Sequence, residues 1–149
     1  IPEIMDIPSV IGDFSCDFPR GAGVPAVSAP FKALLDSIAP DLCDYVPVYK
    51  IWDTVHKRDI TDPYFLAYVR LELDSWDRDK THLAPIKRTK DTIYFAEHPY
   101  YVRNSIVKDA YIWRDAVSRD VMCTDAFVDL YQDAGMTGLY FREIHVSDI

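Results

Sequence analysis

Residues 64–73 read YFLAYVRLEL, and this stretch decides the fold class. Aromatic and aliphatic side chains of this kind suit a pleated, half-buried surface, so the segment predicts the strongest strand in the chain. Alternation places Phe65, Ala67, Val69, Leu71 and Leu73 on one face. Tyr64, Leu66, Tyr68, Arg70 and Glu72 fall on the other. One apolar face and one mixed face predict a strand with a single side on a core.

Working upstream, Val55–Asp62 is polar and turn-like. Tyr45–Trp52 (YVPVYKIW) predicts a second strand. Pro47 cannot donate to a ladder, which puts that strand at an edge or a bulge. Ser28 has the side chain of an N-cap, and Pro30 suits a first helical turn, whose amides lack intrahelical partners. Phe31, Leu34, Leu35 and Ile38 then recur at helical spacing, and Pro40 ends the run. Residues 1–23 contain Pro2, Pro8, Pro19, Gly12, Gly21 and Gly23, which predict an extended, loop-rich N-terminal segment with room for a short edge strand.

Downstream, Asp74–Thr89 is charged and reads as irregular. Thr92–Phe95 predicts a short strand, Tyr100–Val107 fits helix or strand, and Tyr111–Arg114 predicts a strand. Thr124 is a second candidate N-cap, with Asp125 at the positive end of the helix dipole. Phe127, Leu130, Tyr131 and Ala134 follow at helical spacing, and Gly135 fits a left-handed C-terminal cap. Leu139–Ile144 (LYFREI) predicts the last strand. Ser28, Phe31 and Leu34 align with Thr124, Phe127 and Leu130, which fits either a repeated helix–strand unit or two ordinary capped helices.

A helix and a sheet must each bury an apolar side. The expectation is therefore an α+β fold, one domain over residues 1–149, with a mixed or antiparallel sheet packed against two main helices, Ser28–Ala39 and Asp125–Ala134. The expected core is Phe31, Leu34, Phe65, Val69, Leu71, Phe127, Leu130 and Phe141.

A chain of 149 residues that is 49% hydrophobic and 13% aromatic can bury a core of its own, and it lacks the composition of a disordered segment. Acidic residues outnumber basic ones 24 to 16, a net charge of −8. Phosphate backbones and anionic membrane surfaces are repelled by such a chain, so no nucleic-acid and no membrane partner is expected. A basic protein partner suits it, although moderate negative charge also serves solubility alone. Cys16, Cys43 and Cys123 form no CxxC pair, and free thiols point to a reducing, cytoplasmic compartment. No apolar run approaches the ~20 residues that span a bilayer. No signal segment is visible, and the first residue is Ile1 rather than Met, so a native segment can precede it.

Chemical motifs are sparse. His56, His82, His98 and His145 are scattered, with no pair one helical turn apart, so no metal site is expected. Asp74, Asp77 and Asp79 alternate like calcium ligands. An EF-hand loop needs Gly at its sixth position and Glu at its twelfth, and here Asp79 and Pro85 stand there. There is no GxSxG elbow, phosphate-binding loop or GxGxxG fingerprint, so no catalytic residue and no cofactor is assigned. A small enzyme or ligand-binding domain without a recognisable motif stays open as the alternative. Trp, Tyr and Arg dominate interface hot spots. Trp52 and Trp113 read as core anchors, whereas Trp76 lies between carboxylates. Asp74, Trp76, Asp77 and Asp79 are therefore the expected partner-binding residues, with Trp76 as an exposed anchor.

The C-terminal stretch YIWRDAVSRDVMCTDAFVDLYQDAGMTGLYFREI resembles bacterial immunity-protein family eleven, once a domain of unknown function. The matching positions are Trp113, Arg114, Phe127, Ala134, Gly135, Thr137, Gly138 and Phe141. Upstream, YFLAYVRLELDSWDRDKT is similar to that family's central strand, with Asp74 and Ser75 after it. The resemblance runs from about Val24 onward. It implies a non-enzymatic protein of a polymorphic toxin system that binds and neutralises a cognate toxin, encoded by a neighbouring gene. It carries over no catalytic residue and leaves the toxin's chemistry open.

Overall fold

The computed structural model describes residues 10–19, 25–48, 50–88 and 91–149. In chain order the elements are β1 (Val10–Gly12), β2 (Ala26–Ser28), α1 (Ala29–Ile38), β3 (Cys43–Val48), β4 (Ile51–Asp53), β5 (Arg58–Asp59), β6 (Tyr64–Val69) and β7 (Glu72–Leu73). There follow β8 (Leu83–Arg88), β9 (Asp91–Ala96), β10 (Tyr101–Arg103), α2 (Asn104–Val107), β11 (Ile112–Asp115), β12 (Val121–Cys123), α3 (Asp125–Asp133) and β13 (His145–Ser147). The class is α+β, as expected, with α1 and α3 the two main helices and small mixed sheets. Contacts within the chain group into two compact units. Unit 1 is Ile1–Tyr68 with Leu130–Tyr140, and unit 2 is Val69–Asp129 with Phe141–Ile149.

Unit 1 contains the sheets β1–β4–β5 and β2–β6–β3. Of the loop-rich N-terminal segment expected over residues 1–23, residues 1–9 and 20–24 lie outside the described residues. Within the rest, β1 is a short edge strand parallel to β4. Ser28 caps α1: its Oγ accepts from the Phe31 amide at 3.2 Å and donates to Asp17 at 2.7 Å. The helix buries Phe31 and Leu35 and leaves Leu34 half-buried. Its Lys32 ammonium lies 4.6 Å from the Tyr45 ring centroid and 5.6 Å from that of Phe65, side chains of β3 and β6.

The two strands predicted upstream and at the centre each break in two. Tyr45–Trp52 divides into β3 and β4, which belong to different sheets, and Pro47 sits on the edge strand β3. Tyr64–Leu73 divides into β6 and β7. Its burial departs from the expected faces at Tyr64 and Leu71, while Tyr68, Arg70 and Glu72 are exposed as expected. Tyr64 is buried with Phe14, Val48 and Ile51, while Phe65 and Val69 are half-buried and Leu71 is exposed. The reason is hydrogen bonding. The Tyr64 hydroxyl donates toward the carbonyls of Phe14 and Cys16 at 3.2 and 3.1 Å, so its polar end is satisfied inside.

Unit 2 contains β7–β11–β12, β10–β13 and the hairpin β8–β9. The hairpin corrects the irregular reading of Asp74–Thr89, whose charges and Pro85 hid β8. Phe127 is 2% exposed, with Phe141 6.3 Å away, centroid to centroid, in an edge contact. Leu130, expected in the core, is exposed, and Phe141 is half-buried. Gly135 takes φ +70 just past α3, as a C-terminal cap requires. The Thr124 hydroxyl, by contrast, is buried and caps nothing among the described residues.

Leu139–Ile144 is not a strand. The Leu139 amide goes to the Tyr131 hydroxyl at 2.9 Å, so no ladder starts there. Pairing begins later, where β13 runs parallel to β10. The helix–strand repeat is therefore not kept: Ser28 caps its helix while the Thr124 hydroxyl does not, and β3 follows α1 within a few residues whereas nothing comparable follows α3.

A different repeat is present. Residues 51–59 read IWDTVHKRD and residues 112–120 read IWRDAVSRD. In each unit the central strand ends at an aspartate that folds the next turn. Asp53 Oδ1 accepts from the amides of Val55 and His56 at 2.9 and 3.2 Å, and Asp115 Oδ1 from those of Val117 and Ser118 at 2.9 and 2.8 Å. The residue after each aspartate donates to the strand running parallel, Thr54 to Gly12 and Ala116 to Leu73, both at 2.9 Å. Lys57 and Arg119, at matching positions, both take positive φ.

Candidate functional site

The acidic loop that follows β7 stands on a buried polar network in unit 2. Ser75 donates to Asp115 Oδ2 through its amide at 3.0 Å and its hydroxyl at 2.7 Å. The Trp113 indole N–H donates to Ser75 Oγ at 3.0 Å, and that of Trp76 to Ser118 Oγ at 2.9 Å. Ser75 and Asp115 are 0% exposed. Burial pushes the Asp115 carboxyl up, but the amides of Ser118 and Ser75, the Ser75 hydroxyl and the Val117 amide outweigh it and hold its pKa below the ordinary value. The carboxylate is thus charged, buried and hydrogen-bonded on both oxygens.

Backbone bonds fix the loop as well. The Arg103 amide donates to the Ser75 carbonyl and the Asp77 amide to the Tyr101 carbonyl, both at 2.9 Å. The Asp77 carbonyl accepts from Thr81 at 2.7 Å, and the Thr81 hydroxyl donates to the Pro99 carbonyl at 2.8 Å.

Above this frame lies a pocket of about 220 Å³ lined by Asp74, Trp76, Asp77, Arg78, Asp79 and Arg103, with Ile149 at its margin. It brings all four expected partner-binding residues together, though not as expected. Asp74 and Asp79 are exposed. Trp76 is 4% exposed and Asp77 1%. The anticipated exposed Trp76 anchor is corrected: its indole N–H is satisfied by Ser118 and its ring packs in the cluster of Val102, Val107 and Trp113. Trp113 is in the core as expected, but Trp52 is 39% exposed, because its neighbours Ile51 and Asp53 take the inward positions of β4.

Charge in the pocket is unevenly paired. Arg78 reaches Asp74 Oδ1 at 2.9 Å. Arg103 donates to the Asp74 carbonyl and stands 3.9 Å from the same carboxylate. Asp77 Oδ1 accepts from the Asp79 amide at 3.1 Å, whereas its Oδ2 is buried with no hydrogen-bond partner. The Nε of Arg103 is likewise unpartnered.

Sequence reading missed a second surface. On the hairpin, Ile86 stands opposite Ile93 and Ala84 opposite Phe95, and Ile86, Ile93 and Phe95 are all exposed. The patch forms only when both strands pair, and the charges and Pro85 of β8 conceal that strand in the sequence.

Among the described residues, no three His, Cys, Asp or Glu side chains are grouped to hold a metal ion, and no helix is long and apolar enough to cross a membrane. Burial raises the pKa of Cys43 and pushes that of Cys123 up to about 11, which disfavours the nucleophilic thiolate at both.

No curated protein and no solved structure matches the chain. The family model of the immunity proteins (Imm11) matches residues 3–146, nearly end to end, and bears out the resemblance carried by Ser75, Trp113 and the Gly135–Gly138 turn. The chain therefore belongs to the immunity protein family (Imm11), and its function is to neutralise a toxin as a non-enzymatic inhibitor.

Proposed function

We propose that the protein captures a cognate toxin encoded by a neighbouring gene, in the cytoplasm of the producing cell, and that the Asp74–Asp79 loop belongs to the capturing surface. The chain acts here as one immunity domain, consistent with a single family match over residues 3–146. The observation that carries the surface assignment is the contrast between exposed Asp74 and Asp79 and the buried network beneath them. A fixed frame holds surface charge in place without further ordering cost on binding, which is how preorganisation raises affinity. Trp76 serves as frame and Asp77 as pocket floor. Apolar anchoring falls instead to Ile86, Ile93 and Phe95 on the hairpin, since hot spots need apolar surface that is free to be buried.

Co-expression tests this reading. The neighbouring gene's product should kill the host alone and be harmless beside this protein, and the purified pair should form a one-to-one complex. A neighbour that is harmless alone, or that kills regardless, would overturn it.

A further inference from the structure

We infer that the pocket over Asp77 receives one basic side chain, arginine or lysine, of the toxin. The inference rests on the reading of the Asp74–Asp79 loop as toxin-facing. Its observation is independent of net charge: Asp77 lines the pocket, is 1% exposed, and leaves Oδ2 without a hydrogen-bond partner. A buried carboxylate oxygen with an open lone pair costs free energy unless a donor meets it, and a cationic donor meets it best.

The neighbouring cations do not serve. Arg78 and Arg103 both turn to Asp74, the first to its carboxylate and the second to its carbonyl. Lys80 lies 5.1 Å from the Tyr101 ring centroid. Asp77 and Asp79 therefore present two carboxylates with no ion pair among the described residues. A neutral amide would satisfy Oδ2 but leave the charge unbalanced. A bound metal is disfavoured because these acids do not group as ligands. An incoming guanidinium or ammonium can donate to Asp77 Oδ2 and keep Asp79 at the rim, and the rigid floor fixes its position. The pocket would then read one residue of the partner, giving specificity where the rest of the acidic surface gives attraction.

The test uses the full chain and two small probes, N-acetyl-arginine amide and its neutral isostere N-acetyl-citrulline amide, followed by NMR at the Trp76 indole and the Asp77 and Asp79 amides. The arginine probe should shift these signals saturably, and citrulline should bind at least tenfold more weakly. Asp77→Asn keeps an oxygen for the Asp79 amide and should abolish the response with the spectrum otherwise unchanged; Asp79→Asn should weaken it severalfold. With the cognate toxin, Asp77→Asn should lose at least tenfold in affinity. Equal binding of the two probes, or no shift with either, overturns the inference. A toxin that binds wild type and Asp77→Asn alike overturns the pocket assignment while leaving the immunity reading intact. A toxin that binds neither protein overturns both.

Discussion

Ser75 and Asp115, forty positions apart in sequence, are joined twice: amide and hydroxyl of the serine both donate to one carboxylate oxygen, at 3.0 and 2.7 Å. The serine hydroxyl also accepts from Trp113, so strand β11 and the acidic loop are held through a single side chain. The acidic loop proposed to face the toxin is thereby tied to the buried network beneath it.

Replacing Asp115 tests that network. Asp115→Ala strands the buried amides of Ser75 and Ser118, and should cost about 3 kcal/mol or more, since each unmet buried donor costs about 1–3 kcal/mol. Asp115→Asn should cost about 2 kcal/mol, because its amide group faces the Ser75 donors. Chemical denaturation measures both. A loss below about 0.5 kcal/mol for the alanine variant would show that the network does not support the fold.

Acid should unfold the protein partly through the same group. The folded pKa of Asp115 lies below its ordinary value of 3.8, and that of Asp53 does too, where hydrogen bonds from His56 and Val55 outweigh burial. A lowered carboxyl pKa stabilises the folded state above the unfolded value, and the contribution is lost as pH falls through the folded value. Stability should be level from about pH 5 to 7 in this respect and fall below about pH 4. Asp115→Asn should flatten that fall, as read from denaturation midpoints across pH. An unchanged slope would contradict the role of Asp115.

Trp76 and Phe127 should behave as core residues. Trp76→Ala and Phe127→Ala should each cost about 3–5 kcal/mol, as for a large side chain removed from a packed interior. Denaturation losses under about 1 kcal/mol would place either ring at the surface. Any loss of toxin binding by Trp76→Ala should track its loss of fold.

Two glycines should differ. At Gly138, φ is +108 and an added Cβ would lie 2.1 Å from the Phe18 carbonyl oxygen, whereas at Gly135 φ is +70 and nothing lies within 4 Å. Gly135→Ala should cost about 1 kcal/mol from backbone strain alone. Gly138→Ala should cost about 3 kcal/mol, because strain is joined by a backbone clash. Equal losses in thermal or chemical unfolding would refute the close approach.

Charge steering should be visible in kinetics. Asp74→Asn with Asp79→Asn removes exposed carboxylates without touching the buried frame. Association with the toxin should slow about three- to tenfold at low salt, and its salt dependence should flatten. Stopped-flow rates across a salt series read both. If neither changes, the acidic loop faces away from the toxin.

How far the sequence alone reaches depends on the range of the interaction. Ser28 as a cap, the helices around Phe31 and Phe127 and the left-handed Gly135 were legible because each rests on neighbours within a turn or two, and the edge position of Pro47 because proline itself lacks the ladder donor. The family was legible too, from short stretches of sequence around Ser75, Trp113 and Gly138, and its model matches residues 3–146. What tertiary structure decided was which individual side chains turn inward and which polar groups find partners. Tyr64 is buried because carbonyls near residues 14–16 accept its hydroxyl, and Trp76 because Ser118, far along the chain, takes its N–H. Strand β8 exists because β9 pairs with it, and Leu139 starts no ladder because its amide goes to the Tyr131 hydroxyl. A charged loop around a tryptophan reads as an exposed anchor until the distant hydroxyl that buries it is known. Hydrophobic periodicity and caps are written locally, whereas satisfaction of a buried polar atom is a property of two distant segments, and only their meeting settles it.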